Sequence, residues 1–188
     1  MIKVNTRIIC CFLGAVFFSA TVFGDVKLPS IFSDKLVLQQ RASVAIWGWA
    51  YPGEQISIRG SWSEKSATII ADEKGNWKGK LQTPAAGGPY SIEITGKNSI
   101  ELKDVLIGEV WICSGQSNMV FKLRASEHAK AEIAVANLTM IRYFDVKRQY
   151  GPGIFSDAVG SVWQTTTSQN ASSFSAVAYY FAKKINNE

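Results

Sequence analysis

Histidine is nearly absent: His128 is the single one in a chain of 188 residues, and cysteine occurs three times. No Cys/His cluster exists, which excludes a structural zinc site, and nothing in the sequence calls for a metal or another cofactor. Acidic residues are missing before Asp25. No run of like charge extends beyond a pair such as Lys183-Lys184, and the net charge of +5 is scattered, so an electrostatic footprint for nucleic acid is lacking. A Gly-rich phosphate loop with its lysine is also missing, as are internal repeats and low-complexity segments. What is present is globular: 47% hydrophobic, 12% aromatic and 19% charged residues, in a length that suits one large domain or two small ones.

The N-terminus has its own logic. Lys3 and Arg7 precede the apolar stretch Ile8–Phe18, and small residues and Val22-Phe23-Gly24 follow. This pattern predicts a secretory signal peptide over residues 1–24, cleaved after Gly24. The apolar run falls well short of the roughly 20 residues that span a bilayer. Cys10 and Cys11 begin that run rather than follow it, which argues against a lipoprotein anchor. The expectation is an exported protein, periplasmic or secreted, with no membrane attachment after cleavage. The leader removes two cysteines and leaves Cys113, so the exported form holds together by packing without an internal disulfide.

Residues 25–104 read as an antiparallel β-sandwich. Short alternating runs follow one another: Ser43–Trp49, Gln55–Arg59, Ala67–Ile70, Asn76–Leu81, Tyr90–Ile94 and Ser99–Leu102. Turn signals separate them at Tyr51–Glu54, Asp72–Gly75, Pro84–Pro89 and Gly96–Asn98. Period-two alternation punctuated in this way is the signature of such a sandwich.

The pattern changes at Val105. Val105–Cys113 is almost continuously apolar, which suits a strand covered on both faces, as in a parallel sheet. A helix is predicted over about Leu123–Ala136, with Ala125, Ala129, Ile133 and Ala136 on one face. A strand is predicted over Met140–Val146, a loop at Gly151-Pro152-Gly153, and a helix over about Phe174–Ile185. Strand–helix–strand–helix order predicts that residues 105–188 open an α/β domain. Two strands leave both sheet edges open, so this domain reads as truncated.

The chemistry concentrates in Gly108–Met119. A covered strand ending at Cys113 would place Ser117 at its C-terminal edge, where open α/β sheets hold their ligands. Gly115 permits a tight turn. A serine exposed there, beside free backbone N–H groups, is what an acyl-transfer nucleophile needs. By chemistry alone, the favoured reading of Ser114-Gly115-Gln116-Ser117-Asn118 is a polar loop with a helix cap.

The block Gly115-Gln116-Ser117-Asn118-Met119 closely resembles the first signature of the SGNH-hydrolase superfamily, in the form found in sialate O-acetylesterases and related carbohydrate acetylesterases. Leu28–Asp34 with Leu36–Gln40 resembles the mature N-terminus of that family. Val44–Ala50 with Pro52-Gly53-Glu54 resembles its β-sandwich, and Phe174–Phe181 a helix of its catalytic domain. The resemblance implies an N-terminal β-sandwich followed by an SGNH, flavodoxin-like α/β domain. It implies that Ser117 is the nucleophile attacking the acetyl carbonyl of an O-acetylated carbohydrate, 9-O-acetyl sialic acid for example, and that its backbone N–H is one oxyanion donor. Gln116 and Asn118 are candidate substrate-binding residues. The family's general base is a histidine in a later Asp-x-x-His block. That block is missing here, and His128 reads as a solvated helix residue. A serine without a base is a weak nucleophile, so little activity is expected of this polypeptide alone.

Other readings compete. Trp47, Trp49, Trp62 and Trp77 would form either a sugar-stacking platform or sandwich packing. Cys113 reads as a buried small hydrophobe, and Glu109 as a site residue or part of a buried network. Asn137-Leu138-Thr139 and Asn170-Ala171-Ser172 match glycosylation acceptors. The alternatives to a sialate-type esterase are a non-catalytic secreted sandwich that binds glycans or packs on a partner, and an acetylxylan esterase. The oligomeric state is not encoded in any pattern found.

Overall fold

The first half is built by alternation. A computed structural model describes residues 25–186; the predicted signal peptide lies outside the described residues. Seven strands come first: β1 (Val37–Gln39), β2 (Ser43–Trp49), β3 (Gln55–Gly60), β4 (Ser66–Ile70), β5 (Asn76–Gln82), β6 (Gly87–Thr95) and β7 (Ser99–Gly108). In β5 Trp77, Gly79 and Leu81 are buried while their neighbours face solvent. Such strands bury one face and wet the other.

Five strands form a sheet in the order β1-β7-β6-β3-β4, and β2 pairs with β5 in a second, two-stranded sheet. All pairings are antiparallel except β1 on β7, where Val37 lies opposite Leu106 in parallel register. The sheets share one core. Ile46, Trp77 and Leu81 from the smaller sheet meet Ile56, Ile58, Ile92 and Ile94 from the larger. Truncating any one of those isoleucines to alanine costs about 2–5 kcal/mol. The turn between β4 and β5 follows its sequence signal: the Asp72 carboxylate accepts from the N–H groups of Lys74 and Asn76. Gly75 takes φ +79° there, and a Cβ on it would lie 2.4 Å from the Ala50 carbonyl oxygen.

The second half departs from the expected strand–helix–strand pattern. The change of pattern at residues 104/105 falls inside β7, which continues to Gly108 as part of the first sheet. The apolar run does not extend as a strand to Cys113. Residues 109–116 form no helix or strand, Ile112 is 93% exposed and Trp111 58%. Cys113, expected to be buried, is exposed as well. The physical reason is coverage: the register with β1 ends at Gln39 opposite Gly108, and no strand among the described residues pairs with those beyond it. An apolar segment becomes a central strand only where neighbours pair with it and layers cover its faces.

After a short α1 (Ser117–Val120) and a 3-10 turn at Leu123–Ala125 comes α2 (Ala129–Ala134). The single helix expected over Leu123–Ala136 is thus broken. His128 sits between the two pieces at φ +56°, a left-handed conformation that interrupts helical propagation. Next, β8 (Asn137–Phe144) pairs antiparallel with β9 (Trp163–Thr167), a strand without a clear sequence signal. The expected parallel pairing of residues 105–113 with Met140–Val146 is not formed. The final helix, α3 (Ala176–Asn186), lies where its spacing predicts. A second core holds these pieces together: Leu123, Ile141, Tyr143, Phe174 and the fully buried Tyr179. The fold is therefore mixed and sheet-rich.

Hydrogen bonds and an ion pair tie the halves together. Arg142 on β8 grips Asp104 on β7 through two contacts of 3.0 Å. Asp157 accepts from the N–H and hydroxyl of Ser30. The Trp163 indole N–H donates to the Ile31 carbonyl at 2.8 Å.

Candidate active site

Ser117 is the first residue of α1, and its side chain is exposed. The segment that carries it is held from below. The Ala176 N–H donates to the Phe121 carbonyl at 2.8 Å, and the Leu123 N–H to the Phe174 carbonyl at 2.9 Å. The Ser175 hydroxyl donates to the Met119 sulfur, and Met119 packs on the second core. One turn of helix is thereby pinned to the start of α3, with Ser117 on its open side. No side chain caps α1. The first N–H groups of a helix have no partner within it, so donors stand next to the hydroxyl.

An open cleft of about 550 Å³ lies against this turn, lined by Gly115, Gln116, Ser117, Val120, Phe121 and Arg148. Ser117 and Gln116 are thus brought together at one cleft. Asn118 is exposed but outside that lining. His128 is not at the cleft either; it is exposed and faces Glu127 at 3.4 Å. No histidine or carboxylate lines the cleft among the described residues. Nor do the described residues hold a His/Cys/Asp/Glu group suited to a metal ion.

Arg148 was not singled out by the sequence. It follows β8 by a few residues, and no local motif marks it; only the path of the chain after β8 brings it beside Ser117. Lys147 immediately precedes it in the chain, and Lys122 immediately follows the cleft residue Phe121. Lys122 and Lys147 both approach Asp145, at 3.6 and 3.8 Å.

The remaining candidates resolve as structure. Glu109 is at the surface, accepting from the side chains of Gln39 and Gln40. Those two hydrogen bonds, Gln39's first, hold its carboxyl below the usual range. Of the tryptophans, Trp77 is buried in the core, Trp47 packs edge-on against Phe32, and Trp62 packs against Tyr90 while donating to the Gln82 carbonyl. These contacts are those of packing residues.

No family model matches the chain. It is 27% identical over 179 residues to the sialate O-acetylesterase of Homo sapiens, covering 85% of this chain and 34% of that protein. The sialate O-acetylesterase of Mus musculus is 29% identical over 131 residues, 64% of this chain and 24% of its own length. Among solved structures, a carbohydrate acetylesterase from Xanthomonas citri superposes with a TM-score of 0.82 at 34% identity, covering 86% of this chain and 37% of that one. The chain is a partial-length relative of the sialate O-acetylesterases. It spans about a third of the length of these relatives. The structural likeness covers 86% of the chain, so it extends over both halves.

Proposed function

We propose that this chain carries the nucleophile-bearing part of a carbohydrate O-acetylesterase, with Ser117 as the attacking residue. One observation carries the reading: in a relative of carbohydrate acetylesterases, Ser117 of the Gly-Gln-Ser-Asn-Met block stands exposed at an open cleft, on a turn pinned to α3. In the reaction, Ser117 Oγ attacks the acetyl carbonyl while its proton passes to a base. The tetrahedral oxyanion collapses, the sugar oxygen leaves with a proton, and an acetyl-serine remains. Water then attacks that ester, releasing acetate and restoring the hydroxyl. The Ser117 N–H is one oxyanion donor; in enzymes of this kind a single donor is worth roughly 3–4 kcal/mol. Sialosides are the preferred acetylated sugars in this reading, as the names of the relatives indicate. The same reading makes the residues that follow β7 the opening of an SGNH-type α/β domain, and the basic-then-apolar N-terminus supports export.

The cleft residues supply no base, which defines the test. The protein is treated with an activated acetate ester and the modified serine is located by mass spectrometry. Ser117 is expected to acetylate ahead of the other exposed serines, and Ser117→Ala to remove that modification. Turnover of acetylated sugar is expected to be low, to rise with added imidazole in a Ser117-dependent way, and to be unchanged by His128→Ala. Acetylation spread evenly over exposed serines, or imidazole-stimulated release that survives Ser117→Ala, would overturn the reading.

A further inference from the structure

Among the described residues, Arg148 is the one charged residue that lines the Ser117 cleft. Its neighbours leave it without a carboxylate. Asp145, the acid nearest in sequence, is shared by Lys122 and Lys147, and Arg148 forms no ion pair among the described residues. Lys122 follows the cleft residue Phe121 and Lys147 precedes Arg148 in the chain, and both lysines are engaged with Asp145. Guanidinium presents a planar fork of donors that fits a carboxylate in bidentate fashion. Beside it, Val120 and Phe121 give the cleft half-exposed apolar surface, on which the C–H face of a sugar ring can rest.

We propose that Arg148 is the carboxylate anchor of this cleft, so that it takes sugars bearing a carboxylate in preference to neutral ones. This rests on the reading of the Ser117 cleft as the ester site, and deepens it: the anchor would hold an acidic acetylated sugar with its ester toward Ser117. Sialic acids and uronic acids both carry the required group. A bidentate ion pair at an exposed position gives about a tenfold preference, the lower end of what hydrogen bonds to charged groups provide.

The test separates binding from catalysis. Isotope-labelled protein is titrated, with NMR detection, with N-acetylneuraminic acid, glucuronic acid and the methyl ester of each. At least one acid is expected to shift resonances of residues 115–121 and 148 with about tenfold higher affinity than its ester. Arg148→Gln is expected to erase that preference, Arg148→Lys to retain part of it, and added salt to narrow it. Binding of one acid alone identifies the source of the carboxylate. Equal affinity for acid and ester, binding indifferent to Arg148→Gln, or binding of neither acid overturns the proposal. If acid-selective binding holds while Ser117 proves unreactive, the anchor stands and the esterase reading falls. If Ser117 reacts but acid and ester bind alike, the anchor falls alone.

Discussion

The contact between Arg142 and Asp104 gives an asymmetry that can be measured. The two guanidinium nitrogens of Arg142 meet the two carboxylate oxygens of Asp104 at 3.0 Å each, and its Nε donates to the Thr139 carbonyl at 2.9 Å. The Arg142 side chain is 6% exposed, whereas that of Asp104 is 42% exposed. Removing the acid strands a buried cation, a loss of about 3–5 kcal/mol. Removing the base frees a carboxylate that water re-solvates, so the cost is set by the lost hydrogen bonds, about 1–2 kcal/mol. Backbone adds to the first case: Asp104 sits at φ +55°, where alanine is penalised by about a further 1 kcal/mol while asparagine is tolerated. The expected order of destabilisation is therefore Asp104→Ala at about 4–6, Asp104→Asn, whose amide oxygen can still accept from Arg142, at about 2–3, and Arg142→Met at about 1–2 kcal/mol. Urea unfolding followed by tryptophan fluorescence measures it, since Trp163 packs on Phe144 at the end of β8. If Arg142→Met proves as costly as Asp104→Asn, the argument from unequal burial is wrong. The contact also bears on the cleft, because β8 leads directly to Arg148.

Two further substitutions probe the second half. Glu132 accepts hydrogen bonds from Lys183 and from the Tyr179 hydroxyl. Lys183 first, then Tyr179, holds its carboxyl below the usual range, while burial, reinforced by Glu132, pushes the Tyr179 hydroxyl well above its own. A carboxyl lowered in the folded state binds fewer protons than in the unfolded chain. Its contribution is therefore complete above the ordinary carboxylate range and fades as pH falls through the lowered value. Glu132→Gln should cost about 1 kcal/mol at neutral pH and flatten the acid limb of stability against pH, read by thermal unfolding; an unchanged acid limb refutes the assignment. Ile112→Lys should alter stability by less than about 0.5 kcal/mol because the side chain is already in solvent. A loss of several kcal/mol in urea unfolding would show that residues 109–113 are covered after all.

The sheet strands were legible because each carries its environment in its own alternation. Asn76–Gln82 and Gln55–Gly60 bury every second side chain, so period and face follow from the residues themselves. α3 was legible for the same reason, with Ala178 and Tyr179 facing the core. Val105–Cys113 misled because a continuous apolar run states only that both faces want cover, not whether cover exists. It splits at Gly108, where its partner strands end. The helix over Leu123–Ala136 failed at His128, whose left-handed backbone no composition rule foretells, and β9 went unseen because its middle is Gln164-Thr165-Thr166 rather than an apolar alternation.

The candidate site divides along the same line. The chain's own order of residues determined that a small, polar Gly-Gln-Ser-Asn turn would follow an apolar stretch, and so that Ser117 would be exposed. Local steric and hydrogen-bonding preferences act over a few residues and suffice for that. Only the tertiary structure decided that α1 is fastened to α3, that Asn118 and His128 stay outside the cleft, and that Arg148 stands beside Ser117. Such placements join residues far apart in the chain, and they depend on which surfaces find a partner to bury against.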